Sequence, residues 1–283
     1  MNKTTNRKKR KPNRKKKKTP KPIFYIVLAA VLVVAIVVIC LIACSVKRRN
    51  AEFDIQLDTD AEMLDDSKWK TENGFKIYDD HNYVSVTGID VSEWVGEIDW
   101  QRVKDAGIEF AILRVGYRGY ETAKFNFDNS LHTFLAGCNE AGLPVGVYFV
   151  SQAINEQEAI EEAERVLESI HGYTVTMPIY IDLEGAGDTA RTKDLTREEY
   201  TQIVNAFCGR IEQEGFRGGV YSNENWIKTH LNWEDLTQWD LWFAKYKTVP
   251  STEHSFNMWQ YTASATIDGI EKECDLNVRV YEK

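Results

Sequence analysis

Two acidic residues lie two positions apart in the stretch PIYIDLEG, which runs from Pro178 to Gly185. Asp182 and Glu184 follow the apolar run Ile179–Ile181, and such a run predicts a buried strand. Residues i and i+2 of a strand point to the same side, so both carboxyl groups should face one space at the strand end. Neighbouring carboxylates raise each other's pKa, and one of them then keeps its proton at neutral pH. A protonated acid beside an ionised carboxylate is the pair that cleavage of a glycosidic bond requires.

Acidic residues also stand at the ends of two other predicted strands. Asp90 ends the segment YVSVTGID, and Asp275 opens the last strand candidate in CDLN. A single aspartate at a strand end usually caps a loop or forms a salt bridge, but several acids at such ends predict a functional cluster. The predicted catalytic residues are therefore Glu184, Asp182, Asp90 and Asp275. A cluster of carboxylates also binds metal ions, so a metal-dependent hydrolase is the chemical alternative.

Seven aromatic residues at or near predicted strand ends form the predicted substrate-binding set. Each one alone is better explained as a core residue, but seven at one end of a fold suggest a cleft whose rings stack on sugars. The candidates are Tyr117, Tyr148, Tyr221, Trp242, Tyr246, Trp259 and Tyr261. The part of the chain that carries them is acidic, which argues against nucleic acid or a phosphate-rich substrate.

The segments that position these residues alternate between strands and helices from Val84 onward. Apolar runs such as FAILRVG and PVGVYFV predict buried parallel strands, and amphipathic segments between them predict helices. The clearest helix begins at Thr196, which forms a capping box with Glu199. Five such units are followed by three strand candidates, LWFAKY, NMWQYT and CDLNVRV, with too few residues between them for full crossover helices.

Eight strands in this order predict an α/β fold, a degenerate TIM-like (β/α)5(β)3 barrel. The active site of such a barrel lies at the carboxyl ends of its strands, where the four acids are expected. An open, doubly wound sheet is the alternative, but it leaves the final strand-only stretch unexplained.

The first 46 residues have a different composition from the rest of the chain. Residues 1–22 hold twelve Lys and Arg and no acid, and residues 23–46 are uncharged. At about 1.5 Å of rise per residue, residues 23–46 are long enough to cross a bilayer core of about 30 Å as one transmembrane helix. Twelve cations precede this segment and three follow it, so the tail is expected in the cytoplasm and the remainder outside.

Two alternatives remain for this N-terminal region. Its cations would also suit nucleic-acid binding, although the adjacent anchor already accounts for them. The sequence LIAC, which ends at Cys44, resembles a lipobox, in which case a lipid on Cys44 would replace the membrane-spanning anchor. Removing the twelve cations of the tail from the 35 in the chain leaves 23 basic against 43 acidic residues, so the remainder is strongly acidic.

The predicted domains are the tail 1–22, the anchor 23–46, an extracellular stalk 47–83 and the catalytic barrel 84–283. A small hairpin around Asn73-Gly74 is predicted within the stalk. Three cysteines lie outside the anchor, an odd number without a CxxC pair, so no disulfide framework is expected. Histidines at zinc-ligand spacing and a glycine-rich phosphate loop are also absent from the sequence, and we predict neither a cofactor nor a metal.

Taken in order, several motifs resemble glycoside hydrolase family 25, the lysozymes that act as N-acetylmuramidases on bacterial peptidoglycan. They are GIDVSEWVGEIDWQRVKDAGIEFAILRVGYR, GLPVGVYFVS, PIYIDLEG, GVYSN, LWFAKY, MWQYT and CDLNVRV, from about Val84 to the C-terminus. The resemblance implies a five-plus-three barrel without a metal. It also implies that Glu184 is the acid/base and Asp182 its partner, which aids either the oxocarbenium-like state or the substrate's acetamido group. Lys245 and the residue after Tyr148 depart from the family pattern, which leaves the fine substrate preference open.

The resemblance thus predicts a membrane-tethered enzyme of cell-wall remodelling or turnover. It would cleave the β-1,4 bond between N-acetylmuramic acid and N-acetylglucosamine, with glycan strands as its partner and a monomeric catalytic domain. The alternative is an inactive wall-glycan-binding or scaffold module on the same fold. Loss of Asp182 or Glu184 would be the simplest sign of inactivity, and the chain retains both.

Overall fold

The computed structural model describes residues 63–185 and 187–283. The strands are β1 (Trp69–Glu72), β2 (Phe75–Tyr78), β3 (Tyr83–Val91), β4 (Phe110–Arg118), β5 (Phe125–Phe127), β6 (Val145–Val150), β7 (Ile179–Asp182), β8 (Gly218–Asn223), β9 (Asp240–Ala244), β10 (Met258–Ala265) and β11 (Cys274–Glu282). The α-helices are α1 (Trp100–Asp105), α2 (Leu131–Ala141), α3 (Glu156–Ser169), α4 (Arg197–Gln213) and α5 (Glu224–His230). Short 3-10 helices span Asp66–Lys68, Glu93–Val95 and Trp233–Asp235.

Eight of these strands close into a barrel. β3, β4, β6, β7, β8, β9 and β10 pair in this order as parallel neighbours. β11 runs antiparallel to both β10 and β3 and closes the ring, while β5 pairs with the end of β4 outside it. One α-helix follows each of the first five barrel strands, and in the fully described stretch 240–282 no α-helix joins the last three. The predicted closed barrel is confirmed, and the open doubly wound sheet is excluded.

The barrel interior is filled by large side chains that face small ones. Its core consists of Phe110, Ile112, Met177, Tyr180, Trp242, Met258 and Tyr281. Glycines leave the space for the rings, since a Cβ on Gly88 would lie 2.2 Å from the Phe110 ring and one on Gly219 would lie 2.6 Å from the Tyr180 ring. A second, larger core lies between the strands and the surrounding helices.

A buried ion pair lies within this interior. Arg279 on β11 donates from Nη2 to Oδ2 of Asp240 on β9 at 2.5 Å and from Nη1 to Oδ1 at 3.0 Å. The hydroxyl of Tyr180 donates to the same Oδ1 at 2.7 Å. Arg279 and Asp240 are 1% and 0% exposed, and charges at such depth persist in proteins when they are paired and hydrogen-bonded.

Local sequence signals set the starts of the helices that surround the barrel. The side chain of Thr196 accepts from the backbone N–H of Glu199, and Glu199 in turn accepts from the backbone N–H of Thr196. This is the predicted capping box, and it begins α4 directly after the loop that leaves β7. Asp99 and Asn155 cap α1 and α3 in the simpler way, with one side-chain acceptor each.

The structure places part of the predicted stalk 47–83 against the barrel. The hairpin predicted at Asn73-Gly74 is formed by β1 and β2, but it packs on the barrel instead of standing apart. Trp69 is buried and meets the ring of Trp259 edge-to-face, with centroids 5.0 Å apart. The last three barrel strands lack the helices that cover the others, and the hairpin packs instead on apolar residues of their outer face, Trp259 and Tyr261. Residues 69–78 therefore belong to the barrel domain, which begins well before Val84.

The predicted tail 1–22, the anchor 23–46 and the first part of the stalk lie outside the described residues. Within residues 63–185 and 187–283, no helix combines the length and the apolar composition that crossing a bilayer requires.

Candidate active site

The four predicted catalytic residues lie at one end of the barrel. Asp182 is the last residue of β7, Glu184 follows two positions later, and Asp90 lies next to the end of β3. β11 runs in the opposite direction, so its beginning reaches the same end, and Asp275 pairs directly with Asp90 across the two strands. The structure thus brings the four acids to the carboxyl ends of the parallel strands, where barrels of this kind carry their active sites.

Asp90 and Asp275 form one close pair of carboxyl groups. Asp90 is buried, and its Oδ2 accepts hydrogen bonds from Gln260 Nε2 and Asn277 Nδ2, each at 2.8 Å. Burial raises the pKa of Asp90 well above its usual value, and the charge of Asp275 raises it further. Burial also raises the pKa of Asp275, while a hydrogen bond between the two carboxyl groups opposes that rise. The pair therefore holds a proton on Asp90 and a negative charge on Asp275.

Asp182 is buried at the bottom of the mouth. Its side chain is 5% exposed, and within the described part of the chain Oδ1 has no hydrogen-bond partner. Burial raises the pKa of Asp182 well above its usual value, and the charges of Glu184 and Asp90 add to the rise. A carboxylate without a donor is poorly stabilised at this depth, so Asp182 keeps a proton until a donor approaches Oδ1.

Glu184 lies beyond the end of β7, where its side chain is exposed at the rim. Partial desolvation of its carboxyl group by the surrounding protein still raises its pKa, and the charge of Asp275 raises it further. We expected Asp182 to be the neighbour whose charge keeps Glu184 protonated. Asp182 is the more deeply buried acid, and the charge of Glu184 is among the causes that raise its pKa, whereas Asp275 is the neighbour whose charge raises the pKa of Glu184.

Three of the predicted aromatic residues form one cluster at the mouth. The ring of Trp242 meets those of Tyr148 and Tyr221 at centroid distances of 5.7 and 4.7 Å. Tyr148 and Tyr221 are half-buried, but Trp242 is only 1% exposed and its Nε1 donates to Asn277 Oδ1 at 2.7 Å. Trp242 therefore supports the floor below the two tyrosines, and its predicted direct contact with substrate is wrong.

Tyr246 and Tyr117 occupy the rim of the mouth. Tyr246 is 53% exposed, and its hydroxyl donates to Gln260 Oε1 at 2.9 Å. Burial raises the pKa of Tyr246 to about 12, and the charge of Asp275 contributes to that rise. Tyr117 is half-buried at the end of β4, with the guanidinium of Arg114 6.0 Å from its ring centre. Both tyrosines remain candidates for substrate contact.

Trp259 and Tyr261 do not line the mouth, contrary to the prediction. They lie on the outer face of β10, where they pack in the core that includes the β1–β2 hairpin. The backbone N–H of Lys76 on β2 donates to the hydroxyl of Tyr261 at 3.5 Å. Successive residues of a strand point to opposite faces, so it is the residue between them, Gln260, that points into the barrel.

Sequence reasoning missed three polar residues at the mouth. Gln260 and Asn277 donate to the acids, and the same period-two alternation that selected Asp182 would have found them in MWQY and CDLN. Arg114 on β4 forms an ion pair with Asp128 at 3.0 Å, and its charge opposes the rise in the pKa of Tyr148. The signal that could have found it is a single charge within the apolar run FAILRVG, on the face that it shares with Phe110 and Ile112.

The arrangement is suited to general acid catalysis at a bond between sugars. An exposed carboxyl group with a raised pKa donates a proton near neutral pH, and a second carboxyl group beside it becomes negative when a donor approaches. Half-buried tyrosines flank both groups and offer ring faces and hydroxyls to a carbohydrate.

The sequence is similar to those of two curated lysozymes. The chain is 26% identical over 192 residues to the autolytic lysozyme of Clostridium acetobutylicum, which covers 67% of this chain and 54% of that protein. It is 27% identical over 205 residues to lysozyme M1 of Streptomyces globisporus, covering 68% of this chain and 67% of that one.

A solved structure shares the fold. The modular autolysin LytC of Streptococcus pneumoniae, in complex with a synthetic peptidoglycan ligand, is 26% identical and superposes with a TM-score of 0.64 over 75% of this chain and 52% of that one. The chain thus spans about half the length of the clostridial and pneumococcal proteins.

The family model for glycosyl hydrolases family 25 matches residues 89–270, which include Asp90, Asp182 and Glu184. The match extends over more than half of the chain, so the predicted family is confirmed: the chain belongs to glycosyl hydrolases family 25.

Proposed function

We propose that the protein is a lysozyme that hydrolyses the β-1,4 bond between N-acetylmuramic acid and N-acetylglucosamine in peptidoglycan. The observation that carries this proposal is the pair of Asp182 and Glu184 at the barrel mouth, both with a raised pKa. The names of two relatives, both called lysozymes, support it, as does the peptidoglycan ligand of the pneumococcal autolysin. The biological role that fits this activity is remodelling or turnover of the cell wall.

Glu184 is the general acid in this proposal. It lies at the exposed rim, where a glycan strand has access, and its raised pKa favours the protonated form that a general acid requires. As the bond between the anomeric carbon and the glycosidic oxygen breaks, Glu184 transfers that proton to the leaving oxygen. A water molecule then bonds to the anomeric carbon and supplies the hydroxyl group of the new reducing end, and its other proton returns to Glu184.

Asp182 stabilises the positive charge that develops at the anomeric carbon. Its buried Oδ1 is suited to accept a hydrogen bond from the N–H of the substrate's acetamido group. Such a donor favours the ionised carboxylate, so substrate binding shifts Asp182 towards its negative form, and the proton is released to solvent. The charge then appears beside the sugar only when the sugar is in place, which directs it to the transition state.

Asp90 and Asp275 act on the reaction through the field at the mouth. The charge of Asp275 helps to keep Glu184 protonated. Asp90 holds a proton, so that Asp90 and Asp275 do not carry two negative charges side by side. Neither residue is required to transfer a proton to the glycan in this account.

The test is to incubate a soluble protein comprising residues 47–283 with purified peptidoglycan and to identify the new reducing end. A muramic-acid end supports the proposal, and a glucosamine end means that the enzyme cleaves the other glycosidic bond. Binding without any new reducing end would favour an inactive wall-binding module. Activity that disappears in chelator and returns with a divalent cation would favour the metal-dependent alternative.

We propose further that residues 23–46 anchor the enzyme in the cell membrane in a single pass. The uncharged segment is long enough to span a bilayer, and the twelve-to-three distribution of cations around it supports a cytoplasmic N-terminus and an extracellular catalytic domain. Protease added to intact cells stripped of their wall should remove the barrel and leave the tail. A protected barrel with a cleaved tail would reverse the orientation, and loss of membrane association in Cys44→Ala would favour the lipid anchor.

A further inference from the structure

Gln260 is the most highly connected side chain at the barrel mouth. It is 2% exposed and lies between the acid pair and two tyrosines. Its Nε2 donates to Oδ2 of Asp90 at 2.8 Å and to Oδ2 of Asp275 at 3.2 Å. Its Oε1 accepts from the hydroxyls of Tyr221 and Tyr246 at 2.8 and 2.9 Å. The amide therefore uses two donors and two lone pairs, which is its full hydrogen-bonding capacity.

The chemistry of these four partners permits only one orientation of the amide. Asp275 carries the charge of the pair, and an ionised carboxylate is solely an acceptor, so the NH2 group has to face the acids and the carbonyl oxygen has to face the tyrosines. The carbonyl oxygen cannot donate, so both tyrosine hydroxyls direct their hydrogens towards it. Each hydroxyl then presents lone pairs to the cleft, and Tyr221 and Tyr246 accept hydrogen bonds from whatever binds there.

We propose that Gln260 is a positioning residue that holds the Asp90–Asp275 pair in its charged arrangement and turns Tyr221 and Tyr246 into hydrogen-bond acceptors for the glycan. The proposal rests on the lysozyme function proposed above and extends it to a residue that touches no reacting atom. A neutral amide is suited to this task, because it stabilises the carboxylates without adding a charge of its own. The hydroxyl and acetamido N–H groups of an amino sugar are the donors that such an acceptor face recognises.

Several ionisable groups face the acid pair and contribute to its titration. They are Asp182 and Glu184 after β7, Tyr148 on β6, Tyr221 on β8, Tyr246 after β9 and Cys274 at the start of β11, and Arg114 on β4 acts on Tyr148 beside them. Replacing Gln260 by methionine changes none of these charges and removes only the hydrogen bonds of the amide, since methionine has a similar length and no N–H donor.

The test compares Gln260→Met with the wild type in residues 47–283. The variant loses one hydrogen bond to the charged Asp275 and one to its partner Asp90, so kcat/KM should fall by about tenfold to a hundredfold. The pair should then lose its charge at a higher pH, which should move the acid limb of the pH profile up by about one pH unit. Carboxyl ¹³C NMR titration should show the same upward shift in the pKa of Asp90 and Asp275 without any turnover. Gln202→Met, on the exposed face of α4, is the matched control and should leave rate and profile unchanged.

Two further variants sharpen the test. Tyr246→Phe removes one acceptor and should raise KM while leaving the acid limb in place. If thermal unfolding shows that Gln260→Met is not folded, Gln260→Glu tests the proposal instead. The new carboxyl group can donate a hydrogen bond to the acid pair only when it is protonated. The loss of activity in this variant should therefore be smaller at acid pH.

A folded Gln260→Met protein whose carboxyl pKa values match those of the wild type overturns the proposal, whether or not its rate falls. A wild-type protein that releases no reducing ends overturns the lysozyme function instead, and the NMR titration still decides the role of Gln260.

Discussion

Replacement of Trp69 tests whether the N-terminal hairpin belongs to the cooperative unit of the barrel. The Trp69 side chain is 8% exposed and meets the rings of Tyr78 and Trp259 edge-to-face at 5.2 and 5.0 Å. Truncation of a buried tryptophan to alanine costs about 3–5 kcal/mol, which includes the loss of these ring contacts. A domain of this size loses about 2–4 °C in Tm per kcal/mol, so Trp69→Ala should lower Tm by about 6–20 °C.

The assay is thermal unfolding of residues 47–283 followed by circular dichroism. Trp94→Ala is the matched control, because Trp94 is 68% exposed and its removal should change Tm by about 2 °C or less. Trp69→Phe should retain most of the stability, since it keeps an aromatic ring and removes an indole N–H that has no partner among the described residues. The conclusion that the hairpin is part of the domain would be refuted if Trp69→Ala lowered Tm by about 2 °C or less, which is the change expected for the control.

Two other predictions concern charges. Asp275→Asn removes a negative charge that raises the pKa of Glu184. That pKa should fall, and the basic limb of the kcat/KM profile should move to lower pH. A basic limb that does not move would show that the charge of Asp275 does not contribute to the pKa of Glu184. Arg279→Met leaves Asp240 as a buried charge without its main partner and should destabilise the protein by about 3–5 kcal/mol in denaturant titrations. Adding Asp240→Asn should recover part of the lost stability. If it recovers none, lost packing of the Arg279 side chain, and not the unpaired charge, causes the destabilisation.

Local sequence patterns were sufficient to predict the barrel and its acids. Apolar runs indicated the strands, and the length remaining after Leu231 showed that the last three had no covering helices. The alternation of side chains then placed Asp182 in the mouth. The sequence did not show that β11 runs antiparallel, and it is this reversal that brings Asp275 opposite Asp90.

The remaining features depend on contacts between distant parts of the chain. Trp242 and Trp259 each follow a strand signal of the same quality as Tyr221, but one fills the barrel interior and the other is covered by the hairpin. No local pattern states how deep a ring lies or which segment covers it. The pKa values at the site depend on such contacts too, because burial raises those of Asp182 and Glu184, and the neighbouring charges are Glu184 and Asp90 for Asp182 and Asp275 for Glu184.

The most direct test of the central claim is the turnover of peptidoglycan by Glu184→Gln, measured as new reducing ends beside wild-type protein and an exposed control, Glu140→Gln. The substitution keeps the shape of the side chain and removes the transferable proton, so the rate should fall by about 10² to 10⁴ while glycan binding persists. The control should match the wild type. Near-normal turnover by Glu184→Gln would mean that the proton comes from another group and would contradict the assignment of Glu184 as the general acid.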